Sequence, residues 1–369
     1  MHIIIGGNLK KIIECLDSDN HDFYVHTDKK IINEVLMNIK NERKITMPVG
    51  LRFQRKHPYL GYKLKYFYYC LARREILQKK CSYGNSNENK IIYIVKPDYQ
   101  DGVEGLLSLI YKQVLYIHYA KQKGFIPYVD WKNYKTQYYD GNNNVWNFFF
   151  KQPSEISEKD VYSSKNVYLS GWTFKNINYQ GLFESDIFFN SDIESKSNNL
   201  LINNLSFSDE VLNIVDSEAI KLDINNCIGV YVRGTDYIRL KPSGEYIQPD
   251  IQLVEEQISK FISKYNAPIF LVTEDGDIYD SLVKKFGSTI RIVSYDSFIR
   301  NYDGKDVLSK SNVLEDDIKM RGQNYLVKMI LLSKCKYLIS SITQGSKFSY
   351  ALNGGKYVDE YIFDLGLYD

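Results

Sequence analysis

From Ile228 onward, short apolar runs alternate with amphipathic helical stretches, and that alternation leaves few folds open. IGVYVR is strand-like, and PDIQLVEEQISKFISKY, a helix opened by Pro249, puts Ile251, Val254, Ile258, Phe261 and Ile262 on one face. PIFLVT is a second strand, 277–286 a helix, TIRIVS a third strand, 323–334 a helix, KYLISS a strand and 344–352 a last helix. Strands apolar on both faces and separated by helices build a doubly wound parallel sheet. The pattern begins earlier, with IIYIVKP as a strand, an apolar helical periodicity through Leu106, Leu109, Ile110, Val114 and Ile117, and FIPYVDW as a strand. Asn- and Ser-rich connections then run to about residue 226. At the start, MHIIIG, KKIIECL, FYVHT and DKKIINEVLMNI read as a βαβα unit. The expected organisation is an N-terminal α/β appendage over 1–90, an acceptor-side domain over 91–226 and a donor-binding domain over 227–369. SYGNSNENK, 82–90, is expected to be the linker between the first two.

Composition narrows the function classes. The chain of 369 residues has a formal net charge of +2, so no global field draws it to nucleic acid. Its five cysteines are odd in number and form no CxxC pair, which argues against a disulfide framework or a zinc site and suits a reducing compartment. All five histidines lie in the first third, so no histidine base is expected in the C-terminal half. MHIIIGGNLKK has too short an apolar run for a signal peptide. The apolar stretch 106–120 carries Lys112, Gln113 and His118 and falls short of the ~20 residues of a membrane span. A cytoplasmic protein is expected. The segment 51–81 sets nine Lys and Arg against the single acid Glu75, interleaved with tyrosines. It reads either as a solvated basic helix or as a surface for anionic lipid headgroups, a polyanionic acceptor or nucleic acid, which would put the protein at the inner face of a membrane.

Open α/β sheets bind ligands at the carboxyl ends of their strands. Three loops of the C-terminal region share that address: Arg233, Gly234, Thr235, Asp236 and Tyr237; then Thr273, Glu274 and Asp275; then Ser341 with Thr343, Gln344, Gly345 and Ser346, which open a helix. A helix start rich in hydroxyls and free N–H groups favours an anion, and an arginine adds a forked guanidinium. Glu274 and Asp275 suit ribose hydroxyls or base N–H groups. The three loops together describe a site for a nucleotide diphosphate. Each also has a plain structural reading: an ion pair of Arg233 with Asp236, an N-cap at Thr343, and a polar turn at 274–277. No Walker loop or GxGxxG occurs, which disfavours NTP hydrolysis and dinucleotide chemistry.

At these residues the chain resembles a known family. VYVRGTDY is similar to the first motif of the fucosyltransferase superfamily, LVTEDGD to its second and LSKCKYLISSITQGSKFSYAL to its third. GLLSLIYKQVLYIHYAKQKGFIPYVDW and NVWNFFFKQP resemble the first-domain segments of its bacterial α-1,6-like members, so the resemblance runs over about 92–360. It implies a GT-B-like fold of two Rossmann-like domains and an inverting, metal-independent transferase with GDP-fucose as co-substrate and a glycan acceptor, lipid-linked in one reading. By position Arg233 is the diphosphate-holding arginine, and Thr343 and Gln344 are the phosphate- and sugar-contacting pair. Gly234, Thr235, Tyr237, Glu274, Asp275, Ser341, Gly345 and Ser346 complete the donor site, and Asp236 or Glu245 takes the acceptor proton. The sequence departs from the pattern at Tyr231, where a histidine often stands, and at Lys328 or Asn324, where an acid facing guanine is expected. Two other readings stand beside this one: a metal-dependent transferase using Asp275-Gly-Asp277 or Asp17-Ser-Asp19 as a DxD, and a non-catalytic nucleotide-sugar or glycan-binding protein.

Overall fold

The computed structural model describes residues 76–99, 104–173, 185–300, 302, 304 and 317–368, together with residues 2, 3, 23, 24 and 70. Most of the basic-aromatic segment, the acid pair Asp17 and Asp19, and most of the N-terminal βαβα expectation lie outside them. The chain divides into two compact units, 1–77 with 172–177, and 78–171 with 178–369. In the first, His2–Ile3 pairs in parallel with Phe23–Tyr24.

The second unit holds two sheets. One contains β1 (Lys79–Cys81), β2 (Ile92–Val95), β3 (Ile126–Val129) and β4 (Val167–Leu169) in the order β1-β4-β2-β3, parallel except for β1. Helix α1 (Leu106–Gln122) joins β2 to β3. The other sheet contains β5 (Ile228–Tyr231), β6 (Ile269–Val272), β7 (Ile290–Arg291), β8 (Tyr337–Ser341) and β9 (Asp359–Phe363). Its order is β9-β8-β5-β6-β7 and every pair is parallel. This is the doubly wound sheet that the alternation predicts. The chain leaves β5 towards β6 on one side and returns through β8 on the other, so the topological switch point lies between β5 and β8. Crevices that bind ligands open there.

The reason for the fold is visible in the core. β5 and β6 are buried at every position. Ile228, Val230, Ile269, Leu271 and Ile339 pack on one side against Val254, Ile258 and Phe261 of α5 (Ile251–Tyr265) and Leu282 of α6 (Gly276–Phe286). The opposite face meets α7 (Ile318–Lys334), where Gly229 lies so close that a Cβ would fall 2.6 Å from Leu332 Cδ1 and 3.1 Å from Cys335 Sγ. Both neighbours are buried and have no room to retreat. Gly229→Ala is expected to cost about 1–3 kcal/mol by overpacking, read as a lower midpoint in urea unfolding.

Several expectations need correction. The residues 191–221 are not connections but two helices, α2 (Ser191–Asn204) and α3 (Asp209–Lys221). Asn190 and Ser208 cap them by accepting from Asp192 and Ile193 N–H, and from Val211 N–H, respectively. The helix 251–265 is started by Asp250, which accepts from Leu253 N–H, with Pro249 outside it. α7 begins five residues earlier than its apolar pattern, because Asp317 caps it. A short helix, α4 (Thr235–Leu240), replaces the polar loop expected after β5. The expected linker at 82–90 is instead fastened to the sheet domain: Tyr83 N–H donates to Ser164 C=O, Ser86 N–H to Ser163 C=O and Lys165 N–H to Ser86 C=O. Among the described residues no helix is long and apolar enough to cross a membrane.

Candidate active site

β5 and β6 end in register, with Tyr231 opposite Val272, so the loops that follow are adjacent by construction. Two residues past β5, the Arg233 guanidinium is held from two sides. Its Nε donates to Glu274 Oε1 at 3.0 Å and its Nη2 to Asp236 Oδ1 at 3.0 Å, and its Cζ lies 4.6 Å from the centre of the Tyr237 ring. The side chain is 19% exposed. Burial opposes its charge, but Glu274, the two tyrosines Tyr231 and Tyr237, and Asp236 outweigh burial and hold it firmly cationic. Of the five N–H donors of a guanidinium, those on Nη1 remain unspent by these contacts.

Glu274 is the hub of the loop. Its Oε1 also accepts from Gly234 N–H at 3.0 Å and from the Thr235 hydroxyl at 2.9 Å. Asp275 completes the frame: Oδ2 accepts from Thr235 N–H at 2.9 Å, and Oδ1 caps α6 by accepting from Asp277 and Ile278 N–H. The backbone fits this grip only without a side chain at 234, where a Cβ would meet Asp275 Oδ2 at 2.3 Å. Thr235 takes a left-handed φ of 40°, unusual for a β-branched residue. Both carboxylate oxygens of Asp275 are thus engaged by backbone amides, so the DxD at 275–277 functions locally as a helix cap.

The third loop opens α8 (Gln344–Asn353). Thr343 and Ser346 form a reciprocal capping box: Thr343 N–H donates to Ser346 Oγ at 2.8 Å and Ser346 N–H to Thr343 Oγ1 at 3.1 Å. That consumes the amide at Ser346, leaving those of Gln344 and Gly345 as first-turn donors without a partner among the described residues. Ser341 is fully buried and donates to Gln248 Oε1 at 2.6 Å. Gly345 is pressed against two rings, its Cβ position 2.4 Å from the Tyr325 hydroxyl and 2.8 Å from Tyr231 Cε1. Tyr231 and Tyr325 share a hydroxyl contact of 3.1 Å.

A cavity of about 360 Å³ opens at this edge. Arg233, Asp236, Tyr237 and Glu274 line it, and so do Gly105, Leu106, Gln137 and Tyr138 from the first-sheet half. The predicted residues Gly234, Thr235, Asp275, Ser341, Thr343, Gln344, Gly345 and Ser346 stand outside the lining, behind or beside it. Glu245 is exposed and also outside it. Of the two candidate bases only Asp236 faces the cavity, 7% exposed. Tyr138 is set in place by Phe149, 5.9 Å away edge to face, and by Gly322 of α7, whose lack of a side chain lets the helix approach. Burial pushes the Tyr138 hydroxyl up to about 12, keeping it protonated.

Of the remaining wall the sequence pointed only to Lys328 and Asn324, as departures from the family pattern. Tyr295, Asp296 and Ser297 follow β7, and Arg321, Asn324, Tyr325 and Lys328 come from α7. Asp296 lies 2.6 Å from Lys328 Nζ, the two side chains 2% and 12% exposed. Burial raises the Asp296 carboxyl, opposed by Lys328. The position after a strand at the same sheet edge was the available signal for Tyr295–Ser297.

No protein-family description matches this sequence, and no curated protein matches it. Solved structures do. The chain is similar to the selenomethionine form of fucosyltransferase NodZ from Bradyrhizobium, at 16% identity over 75% of this chain and 96% of that one, with a TM-score of 0.43. It is similar to NodZ alpha-1,6-fucosyltransferase soaked with GDP-fucose, at 13% identity over 71% and 93%, TM-score 0.43. It is also similar to a mutant of Arabidopsis thaliana FUT1 in complex with GDP, at 12% identity over 76% and 72%, TM-score 0.38. These solved neighbours are fucosyltransferases, and the likeness is one of fold; the chemistry of the cavity is read from its own residues.

Proposed function

We propose that this chain is an inverting glycosyltransferase that takes fucose from GDP-fucose and passes it to a glycan hydroxyl, without a metal, in the synthesis of a surface polysaccharide or glycoconjugate. The observation that carries the reading is the cavity at the carboxyl ends of β5 and β6 in a doubly wound sheet, walled by a guanidinium with unspent N–H groups and by two acids on consecutive loops. The three motif resemblances at those loops support fucose as the sugar. In the reaction an acceptor oxygen attacks the anomeric carbon from the face opposite the nucleotide. The bond from that carbon to the bridging phosphate oxygen breaks, and the diphosphate leaves with the electron pair. Arg233 Nη1 and the amides of Gln344 and Gly345 stabilise the charge that grows on the diphosphate. Asp236, which faces the cavity, takes the acceptor proton.

The test is nucleotide release measured over a panel of sugar nucleotides, with and without EDTA. GDP-fucose is expected to turn over, with EDTA leaving the rate unchanged. Loss of turnover in EDTA, restored by a divalent cation, would favour the metal-dependent reading. Tight donor binding with no release over many glycan acceptors would favour a binding protein.

A further inference from the structure

Among the described residues three cations line the cavity, and one of them is unspent. Arg233 is held by Glu274 and Asp236, and Lys328 by Asp296. Arg321 of α7 lines the same cavity, and its side chain has no hydrogen-bond or ion-pair partner among the described residues. Its Nε is sealed from solvent, whereas Nη1 and Nη2 are not, so the forked end of this half-buried side chain is the part left open. A guanidinium that has lost part of its hydration without gaining an acceptor is matched by an incoming oxyanion. α7 also opens with no acid in its first turn, although a helix start favours negative charge.

Arg321 stands where α7 meets the first-sheet half. Lys319 Nζ, two residues before it, reaches Asp140 Oδ2 at 3.2 Å, and the next residue, Gly322, lies against the Tyr138 ring, where a Cβ would fall 2.9 Å from Tyr138 Cε1. The Arg321 charge is felt at the Tyr138 hydroxyl, and that of Arg233 at Tyr237 and Tyr325. The two guanidiniums therefore serve different ends of the cavity. In the donor-site reading the diphosphate belongs to Arg233, while the base and the fucose carry no charge. The negative group that meets Arg321 then comes from the acceptor. Gln137 beside it spends Nε2 on the Glu104 carbonyl at 2.7 Å and keeps its own carbonyl oxygen for a sugar hydroxyl. We infer that the acceptor is an acidic glycan and that Arg321 holds one of its sugar carboxylates between Nη1 and Nη2. A carboxylate matches the single charge of Arg321, whereas a phosphate monoester brings roughly −1.5 to −2 at neutral pH into a cavity that already holds Asp236 and Glu274. The inference rests on the donor-site reading above and adds the chemical class of the acceptor to it.

The experiment is calorimetric titration of the full chain, with and without GDP, using two sugar acids and their neutral counterparts: 3′-sialyllactose against lactose, and trigalacturonate against its trimethyl ester. Wild type is expected to bind at least one acid ~10- to 100-fold more tightly than its neutral counterpart, the range of a hydrogen bond to a charged group. Which acid is favoured names the sugar. In Arg321→Gln that preference should vanish while GDP binding persists. Arg321→Lys should keep part of it, because one ammonium cannot grip both oxygens in parallel. Equal wild-type affinity for acid and neutral forms overturns the inference without any variant, so a poorly folding Arg321→Gln does not shelter it. An acid preference that survives in Arg321→Gln overturns it as well. Loss of GDP binding in folded Arg321→Gln would hand this residue to the donor instead. Tighter binding of lactose 6-phosphate than of either acid overturns the carboxylate. Failure of GDP to bind wild type removes the donor-site reading itself, whereas acids that fail beside bound GDP remove only this inference.

Discussion

Arg233→Ala is expected to lower the transfer rate by at least ~100- to 1000-fold, the usual loss when one charge-stabilising donor is removed from a site where charge grows in the transition state. The guanidinium is the cavity's largest fixed positive group at the strand ends, and it is already desolvated and held by Glu274 and Asp236. The reaction therefore has no reorganisation left to perform at that point. Removing the side chain leaves two partly buried carboxylates facing the donor's own negative charge, so affinity should fall together with the rate. Arg233→Lys is the sharper variant. It restores one positive charge and should fold, but a single ammonium cannot span Glu274, Asp236 and a phosphate at once, so it too is expected to be nearly inactive. Steady-state release of GDP from GDP-fucose by folded protein, checked by circular dichroism, gives the answer. A rate within a few-fold of wild type for either variant would remove Arg233 from its assigned role.

Glu274→Ala is expected to cost about 1–3 kcal/mol of stability, the range for leaving hydrogen-bonded groups without their partner. One oxygen, Oε1, receives Arg233 Nε, Gly234 N–H and the Thr235 hydroxyl. Its loss leaves Gly234 N–H unpaired, and Arg233 and the Thr235 hydroxyl held by Asp236 alone, in a loop whose backbone is already forced through a left-handed residue at Thr235. Glu274→Gln keeps the oxygen and loses the charge, so it should cost markedly less. Urea unfolding of the three proteins, with the slope compared as well as the midpoint, separates the outcomes. Equal stability of the alanine variant and wild type would show that the loop is held by something other than this carboxylate.

The sheet was legible because parallel strands buried on both faces leave a mark that surface residues cannot blur. IGVY, IFLV and YLISS are apolar or small throughout, and each is followed by a helical period. The loops at their carboxyl ends then came from one general rule, which is how Arg233 and Glu274 were reached. The same rule was not carried to the third strand, although TIRIVS ends directly before Tyr295; β7 itself spans only Ile290–Arg291 and is half-buried. α2 was lost because two polar residues, Ser197 and Asn204, sit on its buried face beside Leu200 and Leu201 and dilute the apolar stripe, although Asn190 stood in the sequence as its cap. Thr343 and Ser346 show a different limit. The residue types that bind a phosphate are those that cap a helix, and only geometry reveals that here they are bound to each other. No feature of the one-dimensional chain announces that Asp296 meets Lys328, 32 positions away.

One cross-link noted in neither sheet alone joins the two halves of the second unit: the Tyr111 hydroxyl of α1 donates to the Gln344 carbonyl at the first residue of α8, 3.0 Å away. Tyr111 is nearly inaccessible, and burial raises its hydroxyl far above the ordinary range, so the link stays protonated at any pH the protein meets. It fastens α1 of the first-sheet half to the turn that opens α8. Asn198 Nδ2 donates to the Ala351 carbonyl near the other end of the same helix, so any widening between the halves must part bonds at both ends of α8 together.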